Sequence, residues 1–180
     1  MVKVSNYTNY SKIWNRPKNP YEKLRLCNEI RMINLFGLKN KRELWRTQFF
    51  LSKLRKVAEK LIYKKAKLEK IPSQSYGILW FCYKYNFMNN MTFCLESIIK
   101  IDLRSILSRR LQTVVKQLKL SKTIHEARIL IMHKHIQVKN QIVNKPSFLV
   151  RKDNEIFISF SLNSIHFNLN KKCHENRIIK

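Results

Sequence analysis

Residues able to carry enzyme chemistry are few and scattered in this 180-residue chain. The only aspartates are Asp102 and Asp153, and each has a local use, one at the start of a helical pattern and the other in a turn. The glutamates stand mainly among lysines and arginines at helical spacing, where intrahelical pairing accounts for them. His133 and His135 are the suggestive pair, but a zinc-peptidase helix needs two histidines four apart with a glutamate between, and MHKHI supplies neither. Cys27, Cys82, Cys94 and Cys173 contain no CxxC pair, and Cys173 with His174 is a weak metal pair in a polar tail. No secretory signal is legible, so the thiols are expected to be reduced and to behave as small hydrophobes. Glycine occurs only at Gly37 and Gly77, which excludes GxGxxG and P-loop phosphate cradles. No metal, cofactor or catalytic constellation is expected.

Positive charge is what the sequence has in abundance. Lys and Arg number 37 against 11 Asp and Glu, a formal balance of +26, yet 44% of residues are hydrophobic and 11% aromatic. A plain disordered basic tail lacks such core formers, and a surface this cationic repels itself unless a polyanion neutralises it. The first 70 residues hold 19 bases and 5 acids, and residues 101–160 hold 12 and 4, whereas residues 71–100 hold only 2 and 1. Two basic regions therefore flank a nearly neutral, aromatic-rich connector. Its longest apolar stretch is interrupted by Lys84 and Asn86 and is too short to span a bilayer. The pattern is that of an intracellular soluble protein whose partner is phosphate-rich.

The elements that must present this charge are partly legible. Apolar Leu24, Leu26, Ile30 and Ile33 mark a first helix over about 21–33, and Gly37 is placed to end it in a left-handed conformation. A second helix is predicted over 41–67, with Leu44, Trp45, Phe49, Leu54, Val57 and Leu61 recurring at helical spacing and a lysine- and arginine-rich face opposite. Pro72, Ser73 and Ser75 suggest a loop, and YGILWFCYKYNF reads as either a helix or a buried strand. In DLRSILSRRLQTVVKQLKL, residues Leu103, Ile106, Leu107, Leu111, Val114, Val115 and Leu118 make one apolar stripe. Thr123 and Glu126 form a capping box opening a short helix, with Ala127, Leu130 and Ile131 inward and Arg128 and Lys134 outward. Strand signals follow: 136–138 and 142–143 flank a turn at Lys139, Asn140 and Gln141, and 148–150 and 156–158 flank a hairpin turn at Asp153 and Asn154. The fold class is α+β. A basic helical arm (1–67) leads through a connector (68–100) that completes the helical part, into a module (101–167) of two helices packed on a small, mostly antiparallel sheet, with a basic tail (168–180).

The segment from Leu107 to Phe160 resembles the S-four RNA-binding domain of the universal small-subunit ribosomal protein number four, in its eukaryotic cytosolic version, numbered nine in the eukaryotic scheme. The supporting residues are Arg109, Arg110, Leu111, Gln112 and Thr113; Ile124, His125, Ala127, Arg128, Leu130 and Ile131; His135 and Ile136; and Ile142, Val143 and Asn144 followed by Pro146, Ser147 and Phe148. The arm is similar to the helical arm of the same family, especially Gly37 to Glu43 with Trp45 and Arg46. The resemblance covers about residues 17–167. Lys119 stands where the family usually has glycine, and a residue forced to positive φ there is strained as lysine, so the turn is expected to change shape. Lysine outnumbers arginine, and Ile and Asn are abundant, the bias expected of an AT-rich, reduced genome such as that of a parasite or an endosymbiont's relic nucleus.

The resemblance implies a structural constituent of a 40S-type small subunit, with no enzymatic activity, cofactor, membrane or small-molecule substrate. Its implied partners are 18S-type small-subunit rRNA and neighbouring ribosomal proteins, with messenger RNA near where it enters the subunit, and a role in assembly and decoding accuracy. The implied location is the cytoplasmic ribosome, with nucleolar or nuclear passage during assembly. Backbone contacts are expected from Arg109, Arg110, Lys116, Lys122, Arg128, Lys134, Lys139, Lys145 and Arg151, with His133, His135, Asn140 and Ser147 adding hydrogen bonds to riboses or exposed bases. In the arm, Lys39, Asn40, Lys41, Arg42, Arg46, Lys53, Arg55 and Lys56 are the candidates, and Trp45 either stacks on a base or packs in the core. An rRNA pseudouridine synthase also uses this module but needs a catalytic aspartate in a sizeable separate domain, and neither Asp102 nor Asp153 has one around it. A free, non-ribosomal RNA-binding factor would share the module but has no need of the arm.

Overall fold

Gly37 sets the first corner of the chain. Helix α1 (Lys23–Phe36) ends there, with Gly37 at φ 57° and ψ 40°, and Leu38 N–H closes the turn by donating to Ile33 O at 3.0 Å. Helix α2 (Lys41–Leu68) begins at once, and Asn40 caps it by accepting from Glu43 N–H at 3.1 Å through its side-chain oxygen. The computed structural model describes residues 13–68, 73–88 and 94–167. The basic tail, with Cys173 and His174, and Pro72 of the expected loop lie outside them.

The ambiguous aromatic stretch is helical: α3 (Ser73–Lys84) is followed by the short α4 (Leu95–Ile99), so Ser73 and Ser75 belong to a helix and not to a loop. One face of α2, with Leu51, Ala58 and Leu61, packs against Leu79, Cys82, Phe87, Leu95 and Ile98. That core continues into Ile101 and Ile106, with Leu149 packed against it from the far end of the chain. A smaller cluster of Phe36, Leu38, Leu44 and Leu107 closes the corner beside Gly37. Burial pushes the Cys82 thiol up to about 11, so it stays a protonated packing group.

The apolar stripe expected as one helix is two, α5 (Leu103–Ser108) and α6 (Leu111–Gln117). Arg110 is extended, at φ −70° and ψ 141°, and bridges Leu149 in antiparallel fashion. Leu111 N–H donates to Phe148 O at 2.7 Å and Val150 N–H to Arg109 O at 2.9 Å, so a distant segment takes the backbone groups that a continuous helix would have used internally. Helix α7 (Ile124–Met132) carries the predicted capping box, with Glu126 N–H donating to the Thr123 hydroxyl at 3.1 Å and Thr123 N–H to Glu126 Oε2 at 3.3 Å.

Strands β1 (Ile136–Val138), β2 (Gln141–Ile142) and β3 (Ile158–Phe160) form an antiparallel sheet in the order β2-β1-β3. The turn predicted at Lys139, Asn140 and Gln141 is one residue shorter: Lys139 and Asn140 join β1 to β2, and Gln141 already pairs opposite Val138. The second expected hairpin does not form. Residues Lys152–Asn154 make a 3-10 turn, β3 pairs with β1 in the register Ile136 to Phe160, and 148–150 turns away to meet the α5–α6 break. The module's core is Leu111, Val114, Val115, Ala127, Leu130 and Ile131 packed on Ile136, Val138, Val150, Ile158 and Phe160. The architecture is α+β.

Lys119 corrects another expectation. The turn after α6 keeps a glycine-type shape with lysine in it: Lys119 has φ 59°, and Leu120 N–H reaches back to Val115 O at 3.2 Å. Lys134 repeats the arrangement after α7, with φ 63° and His135 N–H donating to Leu130 O at 3.0 Å. A left-handed lysine costs about 1–2 kcal/mol relative to glycine, and at both turns it holds an exposed cation beyond a helix end.

Candidate nucleic-acid interface

Helix α2 presents its cations by simple periodicity. Arg42, Arg46, Lys53, Lys56 and Lys60 recur at intervals of three, four or seven, which stacks them on one face, and all five are exposed. Lys39 and Asn40 extend the row into the preceding turn and are exposed too. Among the described residues, no carboxylate lies within ion-pair distance of these cations. The Arg42 guanidinium lies 5.1 Å from the Trp14 ring centroid and the Lys53 ammonium 4.7 Å from that of Phe49, so aromatic faces support their stems. Lys41 is partly withdrawn, 3.5 Å from Glu29. Arg55 turns inward, donating to Ile101 O at 2.7 Å, and so ties α2 to the α4–α5 link.

In the module, Lys116, Lys122, Lys134, Lys139, Asn140, Lys145, Ser147, Arg151 and His133 are exposed, as a backbone-binding surface requires. Lys139, at φ 56°, occupies the β1–β2 turn beside the exposed Phe157 ring, 5.7 Å from its centroid. His135 is half-buried. Its Nδ1 shares a hydrogen bond of 3.0 Å with Ser164 Oγ, and its ring meets His166 edge-on at 5.2 Å, so its role here is internal. No group of three or more metal-ligating side chains occurs among the described residues, and no described helix is long and apolar enough to cross a membrane.

Three of the expected phosphate contacts are corrected by burial. Arg109 and Arg110 are 6% and 3% exposed. Arg109 Nη1 donates to Glu155 Oε2 at 2.9 Å and Nη2 to Val150 O at 3.3 Å. Arg110 Nη2 donates to Glu43 Oε2 at 2.6 Å. Their guanidinium groups are spent on holding the α5–α6 break against neighbouring segments. Arg128, expected to face out, is half-buried: its Nη2 donates to Glu43 Oε1 at 2.6 Å and its Nη1 to Gly37 O at 3.2 Å. Gln112, fully buried, donates from Nε2 to Gly37 O at 2.9 Å and to Ile124 O at 3.0 Å. The arm's corner is thus fastened to α6 and α7 by Glu43, Arg110, Gln112 and Arg128. A Cβ on Gly37 would lie 2.8 Å from both Gln112 Nε2 and Ile124 Cγ2, so this corner needs glycine for space as well as for φ.

Burial alone would raise the Glu43 carboxyl. The Arg128 hydrogen bond and the charges of Arg110 and Arg128 outweigh it and hold the group below its ordinary value. Burial pushes the Arg110 guanidinium down from its ordinary value, while Glu43 opposes this. Glu29 behaves like Glu43: burial raises it, but hydrogen bonds from Trp45 at 3.0 Å and Arg25 at 2.8 Å prevail and leave it lowered. Trp45 spends its N–H on Glu29 and stacks on Trp14 at 5.7 Å, so of its two expected roles the structure assigns packing.

Residues 109–156 match the S4 domain, a span running from the α5–α6 break through α6, α7 and the β1–β2 hairpin to the 3-10 turn. The small ribosomal subunit protein uS4 of Trypanosoma brucei brucei is 37% identical over 158 residues, covering 88% of this chain and 83% of that protein. The chain belongs to the uS4 family. Alignment over that length takes in the arm as well as the domain. The clamp from Glu43 to Arg110 and Arg128 joins arm and domain in this chain.

Proposed function

We propose that the chain is a structural, non-enzymatic constituent of the small ribosomal subunit that binds small-subunit rRNA by shape and phosphate contacts. The observation that carries this is the row of exposed cations on α2 that have no carboxylate partner among the described residues, together with the exposed lysines around the S4 module. The contacting set is Lys39, Asn40, Arg42, Arg46, Lys53 and Lys56 in the arm, with Lys116, Lys122, Lys134, Lys139, Lys145 and Arg151 in the module. His133, Asn140 and Ser147 are exposed hydrogen-bonding groups suited to riboses and unpaired bases. Neighbouring ribosomal proteins complete its surroundings. The arm and module together support early placement on rRNA, before the particle leaves the nucleolus or nucleus. A place near where messenger RNA enters the subunit, with an influence on decoding accuracy, follows from family analogy. The test is fractionation: the protein should co-sediment with small-subunit particles through a moderate-salt wash, and recovery only in ribosome-free fractions would contradict the proposal.

A further inference from the structure

From the end of α6 to the start of α7, lysines stand at intervals of three, Lys116, Lys119 and Lys122, and all are exposed. No carboxylate lies within ion-pair distance of them among the described residues. The acid beside them, Glu126, is occupied: its Oε2 accepts from Lys122 N–H at 2.7 Å and from Thr123 N–H at 3.3 Å. The middle lysine is the strained one. Among the described residues the non-glycine positions with positive φ are Asn86, Lys119, Lys134 and Lys139, so lysine fills three of the four. Glycine and asparagine accept this conformation readily, and lysine does not. Two hydrogen bonds fix Lys119 in it: its own N–H donates to Lys116 O at 3.0 Å, and Leu120 N–H donates to Val115 O at 3.2 Å. Leu120 packs against the module's core, so the turn cannot relax without giving up that contact.

The fold itself gains little from a lysine here. A cation beyond a helix end can meet the helix dipole, but Lys116 already stands in the last turn of α6, and the effect fades within a turn. Among the described residues Lys119 makes no ion pair and lies over no aromatic ring. Strained backbone of this kind clusters where a ligand is held. An ammonium on a rigid turn, with another cation three residues to either side, suits a run of phosphates, toward which lysine acts as a point charge.

We propose that Lys119 is a phosphate contact, the central cation of a three-lysine clamp on the rRNA backbone formed with Lys116 and Lys122. The proposal rests on the rRNA-binding reading above, which assigns Lys116 and Lys122 but not Lys119, and it accounts for a lysine kept where glycine would be more stable. Lys134 and Lys139, both in the contacting set, share its left-handed backbone.

The experiment uses the full chain and a transcript of small-subunit rRNA, with thermal melting and the salt dependence of binding measured on each variant. Lys119→Gly relieves the backbone and removes the charge, so it should melt roughly 2–4 °C above wild type. It should nevertheless bind several-fold more weakly, with a log–log salt slope lower by roughly 0.7–0.9. Lys119→Gln keeps the strain and removes only the charge, so it should melt as wild type does and lose the same slope. Wild-type slopes in both variants would overturn the contact, and a lowered slope for Lys53→Ala in the same series would leave the rRNA reading standing. A Lys119→Gln protein that melts well below wild type would also overturn it, because the lysine would then be holding the turn. A wild-type protein that does not bind the transcript would overturn the rRNA reading itself, and the contact with it.

Discussion

The cations around Glu43 and those on the outer face of α2 have opposite surroundings. Around Glu43, Arg110 and Arg128 are drawn into the protein and share one carboxylate. Along α2, Arg42, Arg46, Lys53 and Lys56 stand in solvent with no acid within ion-pair distance among the described residues. Residue type marks the inner set, which is almost wholly arginine, but not the outer one, which mixes Arg42 and Arg46 with lysines. Arg25, Arg55, Arg109, Arg110 and Arg128 all donate to interior or half-buried acceptors, while of the lysines only Lys41 takes part in an ion pair among the described residues. A guanidinium offers several donors in a fixed plane and tolerates partial desolvation, whereas an ammonium keeps its hydration and acts as a point charge toward solvent-exposed phosphate. In a strongly basic chain, position and partner, not charge, separate the groups that hold the fold from those free to bind.

Removing the shared acid should break this division most severely. Glu43→Ala leaves two guanidinium groups uncompensated, and we expect a loss of about 3–5 kcal/mol, measured by denaturant unfolding. A variant as stable as wild type would show that the junction is held by packing alone. The same carboxylate sets an acid limit. Its folded value lies below the ordinary 4.5, so its contribution is complete above that pH and is lost as pH falls through the folded value. The melting-temperature gap between wild type and Glu43→Gln should therefore be widest near neutrality and close in acid as pH falls through that lowered folded value. A gap constant across that range would remove the ionised form from the account.

Gly37→Ala tests the corner itself. The left-handed φ and the crowding by Gln112 and Ile124 should together cost about 2 kcal/mol, read from the same unfolding curves. An unchanged curve would mean that the corner relaxes freely. Thr123→Ala removes one half of the capping box and should cost about 1 kcal/mol. At the small end, Lys39→Ala, Lys53→Ala and Lys139→Ala should each change stability by less than about 0.5 kcal/mol, because these exposed lysines have no carboxylate partner among the described residues and at most one solvated aromatic contact.

Local signals were legible in the sequence, and long-range ones were not. Gly37, the Thr123–Glu126 box and the turn after β1 act within a few residues; the first two stand where the pattern put them, and the third does except that Gln141 opens β2. The division of Arg109 and Arg110 from the outer cations escaped sequence reading because their partners are far along the chain. Arg109 meets Glu155 46 positions on, and Arg110 meets Glu43 67 positions back. The break between α5 and α6 escaped for the same reason, since the segment at 148–150 causes it. Lys119 and Lys134 adopt a backbone shape normally signalled by glycine, so residue type gave their turns no mark, and Lys119 stood out only through the family resemblance. One signal did exist. With 11 acids among 37 bases, each acid is a scarce resource, and Glu29, Glu43 and Glu155 are all claimed by arginine.

The salt dependence of binding to a small-subunit rRNA transcript separates the cations that hold the fold from those that meet phosphate. The triple variant Lys39→Ala, Lys53→Ala, Lys139→Ala is compared with Arg109→Met in the full chain, both first shown to be folded at the assay temperature. The account predicts that the triple variant lowers the log–log salt slope by roughly 2–3, at about 0.7–0.9 per phosphate contact. Arg109→Met should lower stability and leave the slope unchanged. The reverse result, a slope that falls for Arg109→Met and holds for the lysine variant, would contradict the assignment of inner arginines to the fold and outer lysines to the RNA.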